Sequence, residues 1–273
     1  MEPLYCKVVL LGDSKVGKTC LQYSFANGLE YLARHRDYHR AAVENYELLL
    51  PINDRDSGAD GPLAVRLALW DIVGWEDFDE RRRMCYLNGV APVDGAGDGD
   101  EHAGVCEPKA LSSLLQCDVS VFILCFAWDN PHSLTNVQMR WYRELRRVQQ
   151  AAAFLRNGNH CRPFSVVLCG TKFDLRVEAD RRGITEGTVT WELAHTVQQG
   201  INADALVVCS AKTGFGVRDV FHTAMLLWLQ NQPAYMKGLT PTPSREALTI
   251  NDGDEVHHLP SKRHITKRSC RLL

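Results

Sequence analysis

At 273 residues and 45% hydrophobic side chains, the chain has material for one or two packed domains. Its formal net charge of −2 excludes a globally basic nucleic-acid binder, so no nucleic-acid partner is expected. Ten cysteines occur without a C-x-x-C pair, and Cys125, Cys169 and Cys209 fall inside apolar runs, which reads as reduced, buried thiols rather than disulfides or a zinc site. No signal peptide is visible at the N-terminus. The longest apolar run, Val119 to Trp128, is too short to span a bilayer, so any membrane attachment has to come from elsewhere.

In chain order, Tyr5 to Leu11 reads as a buried strand and Thr19 to Phe25 as the start of a helix. Between them stands Gly12-Asp13-Ser14-Lys15-Val16-Gly17-Lys18-Thr19, followed by Cys20, which fits the phosphate-loop pattern G-x-x-x-x-G-K-S/T. Backbone N–H groups of such a loop converge on phosphate oxygens at a helix N-terminus, and glycines leave room for that approach. Lys18 supplies a positive charge to the β- and γ-phosphates, and the Thr19 hydroxyl suits a Mg²⁺ ion. Tyr23 to Asn45 is polar, without a clear period, and reads as a long loop with a helical extension near its start. Tyr46 to Leu50 and Leu63 to Trp70 read as strands joined by an extended loop over Pro51 to Pro62. Asp71 to Leu87 reads as a charged loop passing into a helix. Asn88 to Lys109, with its glycines and acidic residues, reads as a surface insertion at about 88–110.

The run Val119 to Trp128 predicts a central parallel strand. Asn130-Pro131 then marks the start of a helix carrying Leu134, Val137, Trp141, Leu145 and Val148 on one face. A strand over Phe164 to Cys169, a helix over Thr190 to Gln199, a strand over Ala205 to Cys209 and a helix over Val217 to Leu229 complete the pattern. Alternating strands and helices predict an α/β domain over 1–230, a mostly parallel six-stranded sheet with helices on both faces. Residues 231–273, rich in Pro, Ser, Thr and charge, read as a flexible tail.

Loops after parallel strands collect on one edge of such a sheet. Asp71-Ile-Val-Gly74 follows a strand: an Asp there serves Mg²⁺, and the Gly74 N–H meets a γ-phosphate. Thr171-Lys172-Phe173-Asp174 follows another: a carboxylate suits the adjacent N1–H and N2–H donors of guanine, which adenine lacks, and the Lys172 stem covers the face of a base. Ser210-Ala211-Lys212 follows a third, where a backbone N–H meets guanine O6. Four short motifs in this order, each at a strand end, point to guanine nucleotide, GTP or GDP, held with Mg²⁺.

Trp70-Asp71, Trp75-Glu-Asp-Phe-Asp79, Asn136-Val137, Trp141-Tyr142, Gly170-Thr-Lys-Phe-Asp-Leu-Arg176 and Cys209-Ser-Ala-Lys212 resemble the Ras superfamily, most closely its Rho family. The resemblance implies a phosphate-loop GTPase domain acting as a switch in signal transduction, with effector proteins, exchange factors and GTPase-activating proteins as partners. Several positions depart from the Rho pattern. The charged helix that Rho proteins insert after Leu-Arg has only Val177 to Gly187 available and reads as missing or vestigial. Ala41 falls where the first switch segment carries a Thr, and no Ser or Thr occurs anywhere from Phe25 to Asp56. Trp75 stands where a Gln orients the attacking water, and an indole has one donor and no acceptor. Val73 replaces a small Ala, and Ser14 replaces a Gly. Weak intrinsic hydrolysis is therefore expected, with Lys18 as the remaining catalytic group. The rival reading is a non-hydrolysing module that recruits effectors whatever its nucleotide state.

The chain ends Cys270-Arg271-Leu272-Leu273, a C-a-a-X box whose terminal Leu favours geranylgeranylation of Cys270. Lys262, Arg263, Lys267 and Arg268 lie just upstream, with no acidic residue after Glu255. One lipid plus a basic cluster is the usual pair of signals for an anionic membrane surface. The expected location is the cytoplasmic face of a membrane, with a cytosolic pool.

Overall fold

The computed structural model describes residues 4–29, 43–52, 63–72, 119–146, 164–184 and 186–231. Six strands form one sheet: β1 (Leu4–Leu11), β2 (Val43–Ile52), β3 (Leu63–Ile72), β4 (Val121–Ala127), β5 (Ser165–Thr171) and β6 (Ala205–Val208), in the order β2-β3-β1-β4-β5-β6. β2 pairs antiparallel with β3, and every other pairing is parallel. The helices are α1 (Lys18–Asn27), α2 (Pro131–Asn136), α3 (Phe173–Arg182), α4 (Trp191–Gly200) and α5 (Val217–Gln230), and a π-helical turn, Val137–Trp141, continues α2.

Strand alternation sends side chains to two separate cores. Cys6, Val8 and Leu10 of β1 join Val121, Ile123 and Cys125 of β4 under α1 and α5, where Phe25 stacks on Phe221 at 4.2 Å. Val9 and Leu11 join Phe122, Leu124 and Phe126 under Leu134, Val137, Trp141 and Leu145, with Ala194 and Val197 from α4 and Ile201 just after it. β4 is buried at every position, which is why it reads in the sequence as an unbroken apolar run. Helices cover both faces, as the alternation predicts.

Local chemistry sets the helix starts. Asn130 accepts a hydrogen bond from the Ser133 N–H at 3.3 Å, with Pro131 at the first helical position. Thr190 accepts from the Leu193 N–H at 3.2 Å to open α4.

Three expectations are corrected. Val43 to Asn45, expected as loop, already belongs to β2, whereas the helical extension expected at the start of that stretch is there as Tyr23 to Asn27, packed on the sheet through Leu21 and Tyr23. Pro51 and Ile52 are the end of β2, in register with Ala64 and Leu63, so the connection begins only after them. Phe173 to Arg182 forms a helix that begins within the Thr171–Asp174 motif and runs through Leu175-Arg176, where no helix starting at the motif was expected. The i,i+4 pairs Arg176–Asp180 at 2.8 Å and Glu178–Arg182 at 2.6 Å support it, and Gly183 closes it in the left-handed conformation. The expected insertion at about 88–110 and the tail from 232 lie outside the described residues. No helix among the described residues is long and apolar enough to cross a membrane.

Candidate functional site: a phosphate loop and the strand ends beside it

β1, β3, β4, β5 and β6 run the same way, so their C-terminal ends share one edge of the sheet. The connections diverge between β1 and β4, and that point is where ligands bind in open α/β sheets. Gly12 leaves β1 there with φ 147°, and a Cβ on it would lie 2.3 Å from the Cys125 carbonyl of β4. Only a residue without a side chain lets the loop start beside β4. Lys15 and Gly17 are left-handed, at φ 63° and 102°, and Gly17 caps α1, so the loop closes directly onto a helix N-terminus. Lys18 is buried at 1% exposure. Its Nζ donates to the carbonyls of Gly12 and Asp13, both at 2.8 Å, so the ammonium spans the loop.

Next to it the Thr19 hydroxyl donates to Asp71 Oδ2, and both residues are buried. Asp71 is delivered by β3, in register with Leu10 of β1. A hydroxyl and a carboxylate side by side, beside a phosphate-type loop, are the oxygen donors a Mg²⁺ ion takes together with substrate phosphates. The residues present therefore fit that ion.

At the other end of the edge, Asp174 sits in the first turn of α3. Ser210 Oγ donates to its Oδ1 at 2.7 Å, and Lys212 Nζ faces its Oδ2 at 3.8 Å. The two chain segments are tied by the Phe173 N–H to the Cys209 carbonyl and the Cys209 N–H to the Gly170 carbonyl. Lys172 is left-handed at φ 56°, and its Nζ is held by Asp129 at 3.1 Å, which fixes the course of the aliphatic stem. Leu29, just after α1, packs against Gly214 in the Ser210 loop, bringing an apolar group to the same end.

Below these loops lie Cys125, Cys169 and Cys209, free and fully buried, with the Cys169 and Cys209 sulfurs 3.6 Å apart. Hydrogen bonding to Cys125 and Cys209, together with burial, pushes the Cys169 thiol well above its ordinary value and keeps it neutral.

The structure thus brings Gly12 to Cys20, Asp71, Thr171, Lys172, Asp174 and Ser210 to Lys212 to one edge. Thr171 sits differently from its neighbours: its hydroxyl lies against the carbonyls of Val16 and Phe126, so it holds the phosphate loop to the sheet. Gly74, Ala41, Trp75 and Cys270 lie outside the described residues. Sequence reasoning gave no role in the site to Asp129, Asn136 or Trp141, placing Trp141 only on the apolar face of its helix. Asp129 follows a strand like the other site residues, which was an available signal. Asn136 and Trp141 both donate to the Asp13 carboxylate, at 2.7 and 2.8 Å, and that contact depends on a local helix irregularity with no sequence signature.

A loop of this shape between strand and helix, with Asp71 and Asp174 on the same edge, defines the phosphate-loop α/β class. The chain belongs to the Ras family, whose sequence model matches residues 7–93 and 101–229. Its relatives are of the Rho type. It is 30% identical over 222 residues to the GTP-binding protein RHO1 of Saccharomyces cerevisiae, covering 80% of each chain. It is 30% identical over 235 residues to the GTP-binding protein rho4 of Schizosaccharomyces pombe, covering 85% of this chain and 90% of that one. It is 30% identical over 248 residues to the RHO1 protein of Eremothecium gossypii, at 89% and 94% coverage. The short unmatched stretch between the two matched blocks falls inside the acidic, Gly-rich stretch Asn88 to Lys109.

Proposed function

We propose that this Rho-like protein binds GTP and GDP and works as a slow, membrane-tethered switch. The observation that carries the reading is the meeting of Lys18, the Thr19–Asp71 pair and Asp174 on one sheet edge. Lys18 and the N–H groups of the Gly12–Thr19 loop hold phosphates, and Asp174, braced by Ser210, selects guanine through its two adjacent donors. Lys172 and Leu29 cover the base, and a backbone N–H of Ser210 to Lys212 meets its O6. Thr19 and Asp71 would hold Mg²⁺, which neutralises charge on the phosphates. The relatives RHO1 and rho4 are GTP-binding proteins, which supports the same ligand.

Hydrolysis is slow because two groups that serve it elsewhere in the family are replaced. Ala41 brings no hydroxyl from the first switch segment, and Trp75 has no acceptor with which to orient water. The protein then persists in its GTP form and engages effector proteins in signal transduction, with exchange factors setting its loading. Geranylgeranylation at Cys270 and the basic residues Lys262, Arg263, Lys267 and Arg268 place it on the cytoplasmic face of an anionic membrane.

The test is the nucleotide content of freshly purified protein, released by denaturation and separated by chromatography. GTP as the main species is the expected result. Mainly GDP means that turnover survives Trp75 and overturns the slow switch. No guanine nucleotide, and none taken up on incubation, overturns the binding itself and leaves an effector-recruiting module. Cys270→Ser should release the protein from membranes, and unchanged membrane association would refute the lipid anchor.

A further inference from the structure

Asp13 is held from outside the phosphate loop. Asn136 Nδ2 donates to its Oδ2 at 2.7 Å, and Trp141 Nε1 donates to its Oδ1 at 2.8 Å. The two donors are five residues apart. On a regular α-helix that spacing sets side chains about 140° apart around the axis. Here the helix widens into a π-helical turn over Val137–Trp141, closed by the Tyr142 N–H on the Val137 carbonyl, and an i→i+5 turn brings the two positions toward one face. The irregularity occurs where two donors must reach one carboxylate, and π-turns of this kind recur at functional sites. Trp141 is fully buried with Leu134, Val137 and Leu145 in the core beneath α2, so the clamp is anchored to the sheet.

The same residue faces the site through its backbone. The Asp13 carbonyl accepts from Lys18 Nζ at 2.8 Å. A carboxylate in this loop would repel bound phosphates if it were free to swing toward them. Two N–H donors at charge-assisted distances hold it turned toward the helix.

We propose that Asn136 and Trp141 are positioning residues of the nucleotide site, acting through Asp13 to fix the phosphate loop and the Lys18 ammonium. The proposal rests on the guanine-nucleotide reading and adds to it the element that sets loop geometry. It assigns the π-turn a purpose: to aim two side chains at one anion behind the loop.

The experiment measures release of a fluorescent GDP analogue from full-length protein in Mg²⁺ buffer, with thermal unfolding recorded alongside. Asn136→Ala, at a half-buried position, and Trp141→Phe are each expected to speed release about tenfold or more, the scale of one charge-assisted hydrogen bond. In an Asp13→Gly background the same substitutions should change release by less than about twofold, since the partner they act on is gone. Equal acceleration in both backgrounds would show a merely structural role and overturn the proposal, as would no acceleration in either. If Trp141→Phe does not fold, the Asn136→Ala arm of the cycle decides alone. Wild-type protein that takes up no GDP analogue defeats the nucleotide reading and the proposal with it, whereas a wild type that binds but shows no coupling defeats the proposal alone.

Discussion

Thr171 donates its hydroxyl to the carbonyl of Val16, a residue 155 positions earlier, and also lies 2.8 Å from the carbonyl of Phe126. One buried hydroxyl therefore ties the phosphate loop to the ends of β4 and β5. The Thr171–Asp174 segment and the phosphate loop are fastened at a single atom, so disturbance of one reaches the other.

Thr171→Val keeps the side chain's volume and removes the donor, so the buried carbonyl that takes the hydroxyl proton loses its partner. An unsatisfied buried group costs about 1–3 kcal/mol. The midpoint of urea unfolding should fall accordingly, and bound GDP should leave faster. Thr171→Ser should restore most of both. An unchanged midpoint would show that water satisfies the carbonyl left behind.

Lys18→Ala removes the ammonium that spans Gly12 and Asp13. Loss of a charge-assisted contact to phosphate, together with loss of the brace across the loop, predicts a fall in GTP affinity of about a hundredfold or more by calorimetry. Lys18→Arg should not rescue it, because a planar fork does not replace a point charge between two carbonyls. Retained affinity in the Ala variant would mean that the loop N–H groups carry phosphate binding unaided.

Much of this site was legible in the sequence because its parts are local. A glycine-rich turn, a strand and a helix occupy consecutive residues, and each strand-end motif announces itself within a few positions. A mostly parallel six-stranded sheet with helices on both faces followed from apolar runs such as Val119 to Trp128 alternating with helical patterns. What the sequence hid was non-local. Nothing in the spacing of Asn136 and Trp141 predicts a π-turn, and nothing near Thr171 says that its hydroxyl serves Val16. Helix α3 was hidden for another reason: Phe173 to Arg182 buries no residue fully and carries charge on most sides, so hydrophobic periodicity could not find it. Its stability comes from side-chain pairs and from Arg176, which also donates to the Thr188 hydroxyl and the Val189 carbonyl.

Asp174→Asn should change which base is bound. In the proposed reading the carboxylate accepts two N–H donors of guanine, whereas a carboxamide offers one acceptor and one donor group. GTP affinity should fall by about a hundredfold, while a xanthine nucleotide, which carries a carbonyl in place of the 2-amino group, should gain affinity. Competition binding with the two nucleotides reads the exchange. Equal losses for both would mean that the substitution acts through the Ser210 contact instead.

Alkaline stability should report on Cys6. Burial pushes its thiol up to about 12, an effect only partly offset by a hydrogen bond with Ser120. The folded state thus holds a proton that the unfolded chain releases once pH passes the ordinary thiol value near 9.0. This contribution to stability is complete below that value and is lost as pH rises toward about 12, with a limiting slope of about 1.4 kcal/mol per pH unit. Cys6→Ala should have lower stability at neutral pH and a flatter decline above about pH 9. Parallel declines in the two proteins would exclude Cys6 as the source.

The proposed slow switch can be tested at Trp75, the residue to which that reading assigns it. Wild-type protein should hydrolyse GTP in a single turnover more slowly than the roughly 10⁻⁴ to 10⁻³ s⁻¹ of unaided Ras. Trp75→Gln supplies a donor and an acceptor where the indole has only a donor, and the rate should rise by about tenfold or more. Ala41→Thr returns a hydroxyl to the first switch segment, so it should strengthen the Mg²⁺ dependence of nucleotide retention as well as the rate. The two substitutions act on different requirements, water orientation and metal ligation, so their combination should exceed either alone. If Trp75→Gln leaves the rate unchanged and wild type already matches Ras, another group orients the water. Glu76 is then the residue to replace next, because it is the adjacent side chain with an acceptor.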